Sequence, residues 1–241
     1  MQTLVPRLTD WLRDKVADAG AQGLVFGLSG GIDSAVVAAL AKRAFPDSSL
    51  GVIMPCFSRP QDAEDARLIA EHLNLPTKTV ILDRVFADLL TELCGENYSP
   101  SNERDLTVAN IKPRLRMTTL YFYAARNRYL VAGTGNRSEI MIGFFTKYGD
   151  GGADLLPLAN LLKVEVWEMA RYLNLPERII TRVPSAGLWH DHVDEDEFGF
   201  SYKELDEYLA GGEGSAEVKA AVNGWIRRNR HKREMPAVPP F

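Results

Sequence analysis

With 241 residues, 46% of them hydrophobic and 25% charged, the chain has the composition of a globular protein able to bury a sizeable core in one domain spanning 1–241. Lys and Arg number 28 against 32 Asp and Glu, a formal charge of −4, which argues against nucleic acid as a partner and toward small molecules or a second copy of the chain. Cys56 and Cys94 are too few for a disulfide framework or a four-cysteine zinc site, and a buried thiol is the simple reading.

Residues 1–20 are amphipathic through Leu4, Leu8, Trp11, Leu12 and Val16, with charges between them and no apolar signal-peptide core. No run approaches the ~20 apolar residues that span a bilayer, so no membrane association is expected, and a cytoplasmic location follows by elimination. Residues 24–28 read as a strand and 33–45 as an Ala- and Val-rich helix; 50–54 is a second strand ended by Pro55, and Ala63, Ala66, Ile69, Ala70 and Leu73 space a helix over 61–73. A strand over 77–82, a helix over 85–93 and a polar loop over 95–105 follow. The stretch 106–126 predicts the longest helix, with Pro113 in its first turns, and it is apolar around so much of its circumference that a homodimer contact is expected there. A short strand at 129–132 leads into Gly133-Thr134-Gly135-Asn136, and 143–153 is a glycine-rich loop beside Lys147, Tyr148 and Asp150. Helices over 162–173, 202–209 and 215–228 precede a tail that Pro236, Pro239 and Pro240 keep from being helical. Strands alternating with helices predict an α/β fold, a doubly wound parallel sheet of about five strands flanked by helices.

The chemistry begins after the first strand. Gly27-Leu28-Ser29-Gly30-Gly31-Ile32-Asp33-Ser34 forms a strand end, a Ser-Gly-Gly turn and the opening of a helix. Such a turn exposes backbone N–H groups where the helix dipole favours an anion, and its glycines let phosphate approach the main chain. The spacing lacks the Lys of a Walker loop and differs from the G-x-G-x-x-G fingerprint. A leaving pyrophosphate also needs a cation, and Mg²⁺ takes one or two carboxylates plus phosphate oxygens.

Ser-Gly-Gly-x-Asp-Ser resembles the loop of the ATP pyrophosphatases, of the Rossmann-like adenine nucleotide alpha hydrolase type, which split ATP between the α and β phosphates. Within that group, the block Gly143-Phe144-Phe145-Thr146-Lys147-Tyr148-Gly149-Asp150-Gly151-Gly152-Ala153-Asp154-Leu155-Leu156-Pro157-Leu158 is similar to the most characteristic segment of the ammonia-dependent NAD synthetases. Residues 110–117, Gly133-Thr134, Glu139, Lys163, 184–189 and 231–233 add to it, so the resemblance runs from about residue 22 to about residue 236. It implies a C–N ligase that adenylates the carboxylate of deamido-NAD⁺ with ATP and lets ammonia expel AMP, the last step of NAD⁺ biosynthesis. It further implies that residues 27 to 34 (Gly27, Leu28, Ser29, Gly30, Gly31, Ile32, Asp33, Ser34), with Thr134, Lys163 and Ser185, contact ATP as co-substrate. Asp33 and Glu139 would hold Mg²⁺, Asp33 and Lys163 would carry the catalytic charge, and Arg114, Lys147, Asp154, His231 and Lys232 would hold the dinucleotide.

The chain departs from the usual bacterial pattern where Gly135-Asn136-Arg137-Ser138-Glu139 replaces Asp-His-Ala-Ala-Glu, and where Ser185 and Gly187 replace Thr and Asp. No covalent nucleophile stands out, and Asp150 or Asp154 could assist ammonia. The glutamine-dependent members add an amidase domain, for which 241 residues leave no room. The acidic run of Asp191, Asp194, Glu195, Asp196 and Glu197 beside His190 and His192 reads as a solvated loop, with lid behaviour expected over 188–202. A tRNA-modifying or GMP-forming ATP pyrophosphatase, or a non-catalytic nucleotide-binding module, is the alternative. Without the resemblance, Lys147 and Lys163 would read as surface lysines and residues 231–233 as a basic tail.

Overall fold

The computed structural model describes residues 1–95, 105–189 and 193–241. The polar loop expected over 95–105 therefore falls mostly outside the described residues, as do His190, Asp191 and His192. In chain order the elements are α1 (Leu4–Asp18), β1 (Gly23–Gly27), α2 (Ile32–Ala44), β2 (Ser49–Ile53), α3 (Pro60–His72), β3 (Thr77–Thr79), α4 (Asp83–Cys94), α5 (Leu106–Ala109), α6 (Ile111–Asn127) and β4 (Tyr129–Val131). There follow α7 (Arg137–Ile142), α8 (Lys163–Tyr172), α9 (Glu177–Ile180), α10 (Asp194–Phe198), α11 (Tyr202–Gly211), α12 (Ala216–Arg228) and a 3₁₀ turn at Arg230–Lys232. None of the described helices is long and apolar enough to cross a membrane.

The sheet is parallel throughout, in the order β3-β2-β1-β4. Alternation along β1 explains why it is covered on both faces. Leu24, Phe26 and Leu28 join the core formed with α1, α2, α3 and α8, while Val25 faces a second core with Val52, Cys56, Phe86, Leu90 and Val131. Helix α2 lies in the middle of the first core, and Ala35 through Ala41 are buried on every side. Helix α1 covers it with Val5, Leu12 and Val16, buried along one face of an otherwise charged helix.

Four strands stand where about five were expected. The fifth position is reduced to a single parallel bridge between Ala132 and Leu155. The next residues turn at once, with Ala159 N–H bonded to the Leu156 carbonyl, and Pro157 has no N–H to offer a ladder. The long helix expected over 106–126 is also interrupted, at Asn110, between α5 and α6. Pro113 cannot donate to the Ala109 carbonyl four residues back, and its ring crowds that carbonyl.

A third, smaller core is built by α7, α10, α11 and α12 around Ile142, Phe198, Tyr202, Leu205 and Val222. It matters because of the short helix α7. A reciprocal cap opens that helix, with Glu139 N–H donating to Asn136 Oδ1 at 3.0 Å and Asn136 N–H donating to Glu139 Oε2 at 3.3 Å. Gly143, at φ 70°, closes it, and a side chain there would run into Asn229. The carbonyls at this end accept from distant donors: Asn229 Nδ2 to Ile142, Lys232 Nζ to Gly143 and Arg233 Nη1 to Met141.

Candidate active site

Strand order reverses between β1 and β4, and a cleft of about 670 Å³ opens beyond their carboxyl ends, where open α/β sheets place their ligands. The loop after β1 forms one wall. Ser34 Oγ donates to the Gly31 carbonyl at 2.8 Å and lies 3.1 Å from Ser29 Oγ, so the two serines fold the turn from within. No side chain caps the start of α2, which leaves its first N–H groups facing the cleft. Gly30 is required twice over: its φ is 82°, and a Cβ would lie 2.6 Å from the Asp62 carbonyl oxygen.

A charged cluster stands at the head of α2. Lys163 Nζ lies 2.6 Å from Asp33 Oδ2 and 3.1 Å from Glu139 Oε1, although these residues are 130 and 24 positions away in sequence. Asn136 Nδ2 donates to the other Asp33 oxygen at 2.8 Å. Lys163 is 2% exposed and sits over the Tyr202 ring. Its placement comes from the start of α8, where its own N–H donates to Ser138 Oγ, which in turn donates to Asp206. Burial alone would lower the Lys163 pKa, but the two carboxylates outweigh it and hold the ammonium charged. Burial raises the Glu139 carboxyl to about 7, with Asp33 and Asp194 adding to the rise and Lys163 opposing it.

Asp194 and Tyr202 belong to this cluster, and the sequence reading missed both. Asp194 is 4% exposed: it accepts from Tyr202 OH at 3.0 Å and from Ala186 N–H at 2.8 Å, while Tyr202 OH also reaches Glu139 Oε1 at 3.3 Å. The reading of the acidic run as solvated is thus corrected at Asp194, and Glu195 is likewise engaged, accepting from Tyr202 N–H. The Ser201–Glu204 capping box that starts α11 was a legible signal for the placement of Tyr202.

The remaining residues singled out from the sequence divide into groups. Thr134, Ser185 and Lys232 line the same cleft as the loop and the carboxylates. Arg114, Lys147 and His231 lie outside its lining, joined through Arg114 Nη2 to the Lys147 carbonyl and Lys147 Nζ to the His231 carbonyl. Asp154 is elsewhere, accepting from Val131 N–H at 2.7 Å and Tyr121 OH at 3.0 Å, so it fixes the end of β4. Asp150 lines the cleft and accepts from Thr146 N–H.

Fold and cleft together define an α/β protein of the nucleotide-binding class, with a glycine-rich turn opening a helix beside two carboxylates. The sequence profile of the NAD synthase family matches residues 4–236, and the chain belongs to that family. It is 59% identical to the NH₃-dependent NAD⁺ synthetase of Carboxydothermus hydrogenoformans, over 97% of this chain and 95% of that one. Its fold matches the NMN synthetase of Francisella tularensis with a TM-score of 0.93 at 38% identity, covering 100% and 98% of the two chains. It matches the NH₃-dependent NAD synthetase of Campylobacter jejuni with a TM-score of 0.82 at 31% identity, covering 99% and 98%.

Proposed function

We propose that this chain is a ligase that uses ATP to amidate deamido-NAD⁺ with ammonia, giving NAD⁺, AMP and pyrophosphate. The observation that carries the reading is the convergence of Asp33, Glu139 and Lys163 at the mouth of the phosphate loop, in a chain 59% identical to an NH₃-dependent NAD⁺ synthetase. A carboxylate is a poor electrophile at neutral pH. One of its oxygens attacks the α-phosphorus of ATP, pyrophosphate leaves, and the acyl adenylate then has AMP as leaving group when ammonia attacks the acyl carbon.

The donor set fits Mg²⁺. Asp33 and Glu139 offer carboxylate oxygens alone, brought together beside the loop by their shared ion pairs with Lys163. No group of three or more metal-ligating side chains occurs among the described residues. A hard cation that keeps its waters and shares phosphate oxygens needs only one or two carboxylates. When bound there, it supplies charge neutralisation to the departing pyrophosphate. The chain's own part is positioning. Loop amides from Ser29 to Ser34 hold the phosphates, Lys163 offsets negative charge that grows on them, and Thr134 and Ser185 contribute hydroxyl groups from the opposite wall. Lys232 and the strip of Arg114, Lys147 and His231 bind the second, dinucleotide substrate. Of the two aspartates considered for assisting ammonia, the cleft lining favours Asp150, since Asp154 is occupied with β4.

A second reading has a specific observation behind it. The fold agrees more closely with the NMN synthetase than with the Campylobacter NAD synthetase, so the deamidated mononucleotide is the rival substrate for the same chemistry. The 59% relative favours the dinucleotide. Incubation with ATP, Mg²⁺, ammonium and either substrate decides, with NAD⁺ formed at the higher kcat/KM as the expected result. Glutamine as sole nitrogen source should give no product. We also propose a homodimer through α4 and α6, which expose Val85, Leu93 and Phe122 by 50%, 64% and 58%. A monomer by light scattering at micromolar concentration would remove that contact.

A further inference from the structure

Among the described residues, three of the five cations that line the cleft, Arg116, Arg228 and Lys232, have no ion-pair partner. Lys163 is paired with Asp33 and Glu139, and Arg182 with Asp62 and Asp65. Lys232 donates to two carbonyls, and Arg228 is exposed and stacked on Trp225. Arg116 sits half-buried on α6. Its Nε donates to the Met54 carbonyl at 3.1 Å and its Nη2 to Ser58 Oγ at 3.2 Å, both neutral acceptors. Among the described residues no carboxylate lies within ion-pair distance of it, although Asp150 and Asp62 favour its charge from further away. Among the same residues its Nη1 group has no acceptor and is not sealed from solvent.

The surroundings sharpen the anomaly. One turn earlier on the same helix, Lys112 is 9% exposed and, among the described residues, donates only to the Leu188 carbonyl at 3.0 Å, with Asp83 favouring its charge from beyond ion-pair distance. Two cations at i and i+4 repel each other, and burial disfavours the charge on both. A protein tolerates such an arrangement when something negative arrives to complete it, because an unpaired charge withdrawn from water is costly. Arg116 also stands where an anion is needed. It lines the same cleft as the loop after β1, and its partner Met54 follows β2, the neighbour of β1.

We infer that Arg116 receives an anionic oxygen of a bound substrate, either a phosphoryl oxygen of ATP or the carboxylate that is amidated. The inference rests on the ligase reading above. Guanidinium suits the task because Nε and Nη2 anchor it to the protein while Nη1 remains free to bond the ligand.

Steady-state kinetics of Arg116→Gln and Arg116→Lys, with ATP, Mg²⁺, ammonium and deamido-NAD⁺, test it beside thermal melting. A charged hydrogen bond lost to Gln should raise the KM of an anionic substrate roughly 10- to 100-fold. Melting should be unchanged, and Lys should recover part of the loss. A rise for ATP assigns the phosphoryl oxygen, and a rise for deamido-NAD⁺ assigns the carboxylate. Unchanged kinetics in Arg116→Gln overturn the inference. So does a fall in melting temperature that tracks the fall in activity and that Lys does not relieve, since Arg116 is then only a brace between Met54 and Ser58. Failure of the unmodified enzyme to make NAD⁺ in the same assay overturns the ligase reading instead, which keeps the two failures apart.

Discussion

The phosphate end of the cleft and the strip outside it are built on opposite plans. At the phosphate end, Asp33, Asn136, Glu139, Lys163, Asp194 and Tyr202 satisfy one another in a closed network before any substrate arrives. On the strip, Arg114 and His231 are exposed, and the contacts joining Arg114, Lys147 and His231 end on backbone carbonyls rather than on carboxylates. On the proposed ligase reading, the first plan preorganises charge where bonds would be made and broken, which favours rate. On the same reading, the second would leave its cations hydrated until a ligand displaced the water, which favours binding and release.

That contrast orders the expected effects. Asp33→Asn removes charge from the closed network and should cut kcat at least ~10²–10³-fold with the fold intact by circular dichroism; an undiminished rate would break the contrast at its strong end. Gly30→Ala forces a side chain into a backbone at φ 82° and against the Asp62 carbonyl. It should cost about 1–3 kcal/mol in chemical denaturation and lower ATP affinity. Tyr202→Phe leaves Asp194 without one donor and should destabilise by roughly 1–3 kcal/mol, with a smaller loss of rate than Asp33→Asn. His231→Ala should act mildly, raising the KM for deamido-NAD⁺ about three- to tenfold while the KM for ATP and the melting temperature hold. A fall in kcat alone for His231→Ala would erase the distinction between the two ends.

Much of the phosphate end was legible in the sequence because its signal is local. Ser29, Gly30, Gly31, Asp33 and Ser34 lie within one turn, and their residue types answer steric and charge demands of that turn. Glu139 and Lys163 were placed by resemblance, and the fold brings both to Asp33. Asp194 and Tyr202 were not legible in this way. Nothing in an acidic run says which carboxylate turns inward, since that depends on the core of α7, α10, α11 and α12 closing over it. The sheet shows the same limit. The alternation in β1 is readable by itself, but whether 153–158 extends as a strand is decided by a turn and a proline beyond its first pairing. Asp154 carries the complementary lesson: the motif fixed its position in the chain, while its hydrogen bonds tie it to β4.

The donors that close the end of α7 come from Asn229, Lys232 and Arg233, about ninety positions downstream. The short helix that carries Glu139 is therefore held at one end by its own capping box and at the other by a segment remote in the chain. An Arg233 substitution should thus loosen the helix that bears Glu139 from a distance.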